Sequence, residues 1–334
     1  MQVKREELLN TLESLTPGLA QREIIEQSNA FVFSKGRIFT YNDDVTCSCK
    51  SPIKNIEGAV EANSLLAILR KLKDKEIEVE QTKAELVITG KRRKAGIRMS
   101  KEILLPIKYQ KATKAWKKLP KNFKTAISLV KECASTDESR FDFTCIHITP
   151  KFIEATDNQR AAQYKIKTNI DKEVLIRASS LQHIISTEVN EFFEQKNWIH
   201  FRDSSDFQIS CLRYIEDYQD TSKIFAFKGT PITLPKSIRQ ATETAEIFSS
   251  ENPDNRLIIE LQKGKVRIKG QGTSGWFWEV KRVKYKGPSI IFTITPKLFM
   301  DLLEHDNHCE VVESKAMKIT GDNYMYVTVL GVVQ

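Results

Sequence analysis

Apolar residues recur at helical spacing in paired places along the chain. Near the N-terminus Leu8, Leu12 and Leu15 fall on one face. Leu119-Pro120-Lys121-Asn122-Phe123-Lys124-Thr125-Ala126 reads L-P-K-x-apolar-basic-x-A, and Leu234-Pro235-Lys236-Ser237-Ile238-Arg239-Gln240-Ala241 repeats it 115 residues later. Each proline is read as a helix start, where its missing N–H is not needed. A second helix recurs between these. Ala62-Asn63-Ser64-Leu65 leads to Leu69, Ala178-Ser179-Ser180-Leu181 to Ile185, and Thr295-Pro296-Lys297-Leu298 to Leu302, at offsets of 116 and 117 residues. Each opens on a capping-type polar residue or proline.

Between the helices the pattern turns strand-like. Phe31–Phe33, Arg37–Tyr41, Val45–Cys49, Glu85–Ile88, Phe141–Ile148, Phe152–Ala155, Leu257–Leu261 and Lys265–Ile268 are rich in β-branched and aromatic residues. Gly36, Pro150 and Gly264 punctuate them as hairpin turns. The chain therefore reads as three similar units of about 115 residues, each helix, strands, helix, strands. The fold class expected is α+β, with two helices per unit covering antiparallel sheet. With linkers at Lys108–Lys118 and Lys228–Thr233, the domains fall at 1–110, 117–228 and 232–334.

Composition narrows the class. Hydrophobic residues make up 40% and charged residues 28% of 334, a globular balance, and no apolar run is long enough for a membrane span. The N-terminus has no apolar signal stretch, which points to an intracellular protein. The six cysteines form no CxxC pair, so a structural zinc site is not expected, and Cys47 and Cys49 read as reduced thiols on one strand face. Net charge is +9, unevenly placed: Lys91–Lys124 holds thirteen basic residues and one acidic, against 39 basic and 42 acidic elsewhere. A basic middle segment permits an acidic partner such as nucleic acid.

Four stretches, in order, carry a family resemblance. Phe152-Ile153-Glu154-Ala155-Thr156-Asp157-Asn158-Gln159-Arg160-Ala161 matches an A-T-D-G-H-R-L strand and turn, with Asn158-Gln159 for Gly-His and Ala161 for Leu. Ile215-Glu216-Asp217-Tyr218 matches F-P-D-Y, with Glu216 for Pro. Glu246-Ile247-Phe248-Ser249-Ser250-Glu251 matches a helix end of the last domain, and Tyr326-Val327-Thr328-Val329-Leu330-Gly331-Val332 a C-terminal strand and tail, without the usual proline. With the three-fold repeat, the whole chain resembles the bacterial-type DNA polymerase sliding clamp, the beta subunit of the replicative DNA polymerase III holoenzyme.

The resemblance implies three clamp-type domains per chain and two chains closing head-to-tail as a homodimeric ring around double-stranded DNA. It implies no enzymatic activity, no cofactor, no metal and no membrane, and a cytoplasmic, nucleoid-associated location. Partners would be DNA polymerase and clamp-loader subunits, bound through short peptide motifs. Carried over residue by residue, the peptide pocket comprises Thr156, Asp157, Arg160, Ala161, Tyr218, Ala316, Val329, Leu330 and Val332. DNA contacts fall to Lys4, Arg22, Arg70, Lys71, Lys73, Lys121, Lys124, Lys236, Arg239 and Lys297. Lys121/Lys236 and Lys124/Arg239 stand at equal repeat positions, as sequence-independent phosphate contacts would. Ile97 and Met99, with Ile247 and Phe248, match apolar ring-contact positions. The family is usually acidic overall, so Lys91–Lys124 is a departure.

Two rival readings come from other classes. One is a metal-dependent nucleic-acid-processing enzyme using Asp157, Asp217 and the His305–Cys309 turn. The other is a monomeric basic nucleic-acid binder working through Lys91–Lys124 and the pair Trp276/Trp278, for which stacking on bases competes with ordinary sheet packing, the commoner outcome. No phosphate-binding glycine loop and no nucleophile elbow is present; Gly264, Gly270, Gly272 and Gly275 fit neither pattern.

Overall fold

The computed structural model describes residues 1–23, 25–106, 116–312 and 315–333. Among them are seven α-helices: α1 (Arg5–Ser14), α2 (Ala62–Lys71), α3 (Phe123–Val130), α4 (Ala178–Ile185), α5 (Ser222–Ala226), α6 (Ile238–Ser249) and α7 (Pro296–His305). Six of them stand where the apolar spacing places them. The sheets are antiparallel throughout the registered pairs, so the α+β expectation holds. The chain divides into two compact units, residues 1–127 with 168–215, and 128–167 with 216–334.

In the first unit one twelve-stranded sheet runs from Gln2–Lys4 at one edge to Lys117–Lys118 at the other. Its two halves join where Val45–Lys50 pairs with Gln208–Leu212. The helices cover it with their apolar stripes: Leu8 and Leu12 on α1, Leu65, Leu66 and Leu69 on α2, Leu181 and Ile184 on α4, all buried. Glu61 starts α2 by accepting the amides of Asn63 and Ser64 at 3.0 and 2.7 Å. All six cysteines are free and buried, and burial pushes the Cys47 and Cys49 thiols up to about 12, so they stay protonated and inert.

In the second unit a sheet runs through Cys145–Ile148, Phe152–Thr156, Arg160–Lys165, Tyr324–Val329, Ala316–Thr320, His308–Val312 and Thr230–Thr233. A separate four-stranded sheet is ordered Trp276–Arg282, Lys265–Gln271, Leu257–Gln262, Ile290–Ile294. Helix α6 presses on it so closely that a Cβ at Gly270 would lie 1.9 Å from the Ala245 carbonyl oxygen. Gly270 is thus a seat for a helix, not part of a ligand loop.

Several local readings need correction. Phe141–Thr144 is a 3-10 turn and the strand starts at Cys145. The Thr144 hydroxyl donates to the Phe141 carbonyl at 2.7 Å, a local bond that competes with the ladder. Pro120 and Pro235 do not open their helices. Each carbonyl accepts the amide three residues on, from Phe123 and Ile238, and the helix begins there. Thr230–Thr233, read as linker, is an edge strand paired with His308–Val312. Of the other linker, residues 107–115 lie outside the described residues, and Lys117–Lys118 pairs with Glu191-Phe192.

One buried base makes the first unit acid-sensitive. His200 is 4% exposed, bonded through Nδ1 to the Ser210 hydroxyl at 2.6 Å and stacked on Phe193. Burial lowers its pKa from 6.5 to about 4. The unfolded chain therefore takes up this proton first as pH falls. The stability present above pH 6.5 drains away between there and about pH 4, by up to ~3 kcal/mol for this one group. His200→Phe is expected to flatten the dependence of the melting temperature on pH across that window. An unchanged slope would remove His200 as its source.

Candidate functional site

The residues carried over to a partner pocket lie in the second unit: Thr156, Arg160, Ala161, Ala316 and Val329 on the strands Phe152–Thr156, Arg160–Lys165, Ala316–Thr320 and Tyr324–Val329, and Asp157, Tyr218, Leu330 and Val332 in the segments beside them. Register decides which of them can act together. Thr156 faces Ala161, Ala161 faces Val327, and Ala316 faces Val329 across the ladder, so these share one sheet face. Arg160 faces Thr328 and points to the other side. Leu330 is 6% exposed, whereas Val329 and Val332 are 43% and 67% exposed. The nine residues are thus split between the two faces of the sheet and the segments beside it.

The face that carries Ala161 and Val327 is largely covered from within the unit. Ala161, Val327 and Phe225 form a buried cluster, with Ile224, Phe227, Ala316 and Met325 packed against it. Helix α5 supplies Ile224 and Phe225 of these and is followed by Phe227, and sequence reading missed them. The signal was present in Ile224-Phe225-Ala226-Phe227, an aromatic-rich stretch that begins six residues after the end of the F-P-D-Y-like motif. Beside the cluster, the Tyr218 and His147 rings lie tilted against each other with centres 4.6 Å apart. His147 and Thr221 both bond the buried Glu154 carboxylate, at 2.9 and 2.7 Å, and so fasten the covering segment to the sheet. The tail is pinned by Gly331, which exchanges backbone bonds of 2.7 and 2.9 Å with Thr293; a Cβ there would meet Arg256 Nη1 at 2.2 Å.

On the opposite face Arg160 is spent on structure. Its Nε meets Asp157 Oδ2 at 3.0 Å, and its Nη1 donates to Asp301 on α7. Asp157 also accepts the amides of Gln159 and Arg160 at 3.0 and 2.8 Å, which fixes the turn where Asn158 takes φ 72°. That carboxylate is therefore not free to serve as one of a catalytic pair with Asp217, which is exposed. The His305–Cys309 turn also disperses: the His305 ring packs at a tilt against Tyr324 and Tyr326, His308 bonds Thr233 at 2.8 Å, and Cys309 is buried. Among the described residues no group of His, Cys, Asp and Glu is gathered for a metal.

The basic residues assigned to DNA sit at or beside helix ends, except Arg22, which lies in a bend. Lys4, Arg22, Arg70, Lys71, Lys73, Lys121, Lys236 and Lys297 are exposed, and Lys124 and Arg239 are half-buried. Lys124, Arg239 and Lys297 stand in first turns that hold no acid. There the helix dipole disfavours a cation by roughly 0.3–1 kcal/mol. Helix stability is thus no reason for them. Three of the cations also tie helices: Arg70 pairs with Glu13 of α1 at 2.9 Å, Arg239 with Glu304 of α7 at 3.3 Å, and Lys124 donates to the Thr187 carbonyl. Lys297 pairs with Asp301 at 3.5 Å. The strongest basic run lies elsewhere, at the hairpin tip Lys91–Lys94, all exposed.

The four ring-contact residues separate likewise. Ile247 is 63% exposed at the end of α6, and Phe248 is half-buried over Gly275. Ile97 and Met99 are only 7% and 5% exposed, so they belong to the first unit's core and offer no surface. What the first unit does offer nearby is a cleft of about 310 Å³ between α2 and the strands Glu85–Gly90 and Arg93–Ser100. Ala67, Ile68, Leu72, Ile88 and Ala95 give it apolar walls, and Lys71, Arg93 and Lys94 rim it.

No family model matches the chain, and no curated protein matches it. Solved structures do, and they define the class: the fold is that of the bacterial DNA sliding clamp, end to end. The chain is similar to the DNA polymerase III beta chain of Streptococcus pneumoniae, with 18% identity, a TM-score of 0.87 and 99% of both chains covered. It is similar to the DNA polymerase sliding clamp of Bacillus subtilis, at 15% identity and TM-score 0.86, and to the Pseudomonas aeruginosa clamp bound to griselimycin, at 14% and 0.86. Each of these two covers 100% of this chain and 99% of its own.

Proposed function

We propose that this chain is a DNA sliding clamp, a processivity factor with three domains at 1–110, 117–228 and 232–334. Two copies close head-to-tail into a ring around duplex DNA, and the ring tethers a DNA polymerase and other replication and repair proteins. The observation that carries this reading is the end-to-end likeness to clamp structures, repeated helix pairs included. Function then follows from topology. A closed ring leaves DNA only by opening or by reaching an end. A polymerase held by it stays at high effective concentration near the primer, so no bond is made or broken and no cofactor is needed.

The parts divide accordingly. The exposed cations Lys4, Arg22, Lys71, Lys73, Lys121 and Lys236, with Arg70, Lys124, Arg239 and Lys297, attract phosphate without reading bases. Because four of these cations already have protein partners, the hold on DNA is weak, as sliding requires. Partner peptides with apolar anchors meet Val329, Val332 and Ala316, beside the Ala161–Val327 cluster under α5. Ring closure seats Ile247 of one copy in the Lys71-rimmed cleft of the other. The exposed Glu243 and half-buried Glu246 on α6 then oppose Lys71, Arg93 and Lys94.

The test is topological. The chain is loaded at high concentration onto nicked circular plasmid and separated from unbound protein. It should stay with the circle and leave within seconds to minutes of cutting the circle once. Retention on the cut, open-ended DNA would overturn the clamp reading in favour of a direct nucleic-acid binder.

A further inference from the structure

Three equivalent backbone bonds fix the register of the repeat. Arg5 donates to the Lys75 carbonyl at 3.0 Å, Leu119 to that of Asn190 at 2.8 Å and Leu234 to that of Asn307 at 2.8 Å. Three residues on from each acceptor, one row of cross-strand partners can be followed through each proposed domain. In the second it runs Phe193, His200, Ser210 and ends on Thr46 of the first. In the third it runs Glu310, Lys318, Val327 and ends on Ala161 of the second. In the first it runs Glu78, Thr89, Lys94 and stops at an open edge. Among the described residues, Arg93–Ser100 meets a second strand on that side only through Met99 and Ser100. The third domain holds the other open edge. Trp276–Arg282 ends its four-stranded sheet, and Trp276 and Trp278 are 62% and 50% exposed, against the expectation of sheet packing. Arg37 and Lys265 each follow a two-residue turn, opposite Ser34 and Gln262. Thr46, opposite Tyr41, therefore corresponds to Trp278, opposite Lys269.

We propose that these two open edges join between copies in the register that the two internal joints share, so that Trp278 of one copy lies opposite Lys94 of the other. This rests on the clamp reading and gives the basic tip Lys91–Lys94 a role that reading left empty. Both internal joints are antiparallel, Thr46 with Ser210 and Ala161 with Val327. The same register sets Trp276 opposite Gly96, Phe277 opposite Ala95 and Glu279 opposite Arg93. The side chains suit these places. Helix α6 covers the face that carries Gly270 and Phe277, so the indoles stand on the other. There Arg267 already lies over the Trp278 ring, 5.6 Å from its centre, and the Lys94 ammonium takes the ring face left open. Gly96 has no side chain to hold the Trp276 indole off the backbone. On the helix side Glu279, paired with Lys281 at 2.5 Å in its own strand, gains Arg93 as a second cation. Two unpaired strand edges, each a liability when exposed, are closed at once. The joint runs beside the cleft that receives Ile247, since Arg93 and Ala95 line that cleft too.

The experiment is disulfide trapping in the full chain, whose six native thiols are all buried. Phe277→Cys with Ala95→Cys places two thiols directly opposite, where Cα atoms stand about 4.5–5.5 Å apart and a disulfide fits. Mild oxidation should convert most of this variant to a covalent dimer. Phe277→Cys with Arg93→Cys is two residues out of register and should give little. Charge reversal supplies a second readout from exposed side chains. Glu279→Arg and Arg93→Glu should each lower the sedimenting mass at micromolar concentration, and the two combined in one chain should restore it. Lys94→Ala and Trp278→Ala should each weaken the dimer roughly fivefold or more, and the double variant no further than the worse of the two. A parent that sediments as a single chain would overturn the clamp reading and this joint with it. A parent dimer that traps the shifted pair, or traps neither, would overturn the joint and leave the clamp reading standing. So would charge reversals that do not rescue each other.

Discussion

Arg160→Ala lowers the melting temperature of the protein by on the order of 4 °C, an effect of about 3 kcal/mol. The guanidinium is 12% exposed and lies between Asp157, at 3.0 Å, and Asp301 on α7. It joins the strand Arg160–Lys165 to that helix and caps the turn that starts the strand. Removing it leaves two carboxylates, 19% and 21% exposed, without their shared counter-charge. Partial exposure lets water recover some of the loss, which keeps the effect at the lower end of that for buried pairs. Arg160→Lys should rescue less than half, because one ammonium cannot span both aspartates as a planar fork does. The further change Asp301→Asn in the alanine background should restore stability by removing one of the stranded charges. Thermal denaturation of the four proteins checks this. If Arg160→Ala melts with the parent and only peptide binding is lost, Arg160 belongs to the partner site after all.

That prediction marks where motif matching and register part company. Arg160 and Ala161 are neighbours in a motif, and a family likeness assigns them one role. In a strand, neighbours point to opposite faces, so one is spent on α7 and the other lies under α5. Ile97 and Met99 follow the same rule and point to the buried face. Along Arg93–Ser100 they alternate with the exposed Arg98 and Ser100, and that alternation was readable. The helices were legible because a buried stripe repeats every three to four residues and the whole pattern repeats near 115. The third helix pair shows it best: Leu298, Phe299, Leu302 and Leu303 all reach the core.

What sequence did not disclose was set by distant parts of the chain. Thr230–Thr233 is a strand only because His308–Val312 comes alongside it. Trp276-Phe277-Trp278 predicts an alternating strand correctly, but which face α6 covers depends on Gly270 one strand away. Helix α5 owes its place to a buried Glu154 that receives Thr221 across 67 residues. None of these partners is within the window of any local pattern.

Ile247→Glu should turn the ring into single chains. The parent is expected to sediment near twice 38.3 kDa at micromolar concentration, and the variant near 38.3 kDa. Ile247 is the most exposed apolar side chain on α6, and the end of the helix is held firmly. Glu251 accepts the Ser274 amide at 2.8 Å, and a Cβ at Gly272 would lie 2.2 Å from the Phe248 carbonyl oxygen. An anchor so fixed loses little entropy on docking. A glutamate placed against Ala67, Ile68 and Leu72 would be buried in apolar surroundings, beside Glu243 and Glu246 of its own helix. Loss of the anchor and the buried charge together should weaken each contact by about 3–4 kcal/mol, some hundred- to a thousandfold. Raising salt should weaken the parent ring too, through the Lys71, Arg93 and Lys94 rim. Ala67→Trp fills the receiving cleft instead and should also give single chains. A mixture of the two variants decides the geometry. In a head-to-tail contact the intact Ile247 of the Ala67→Trp chain still meets the intact cleft of the Ile247→Glu chain. The mixture should therefore form open dimers that neither variant forms alone. If Ile247→Glu stays a dimer, or the mixture stays monomeric, this cleft is not where the ring closes.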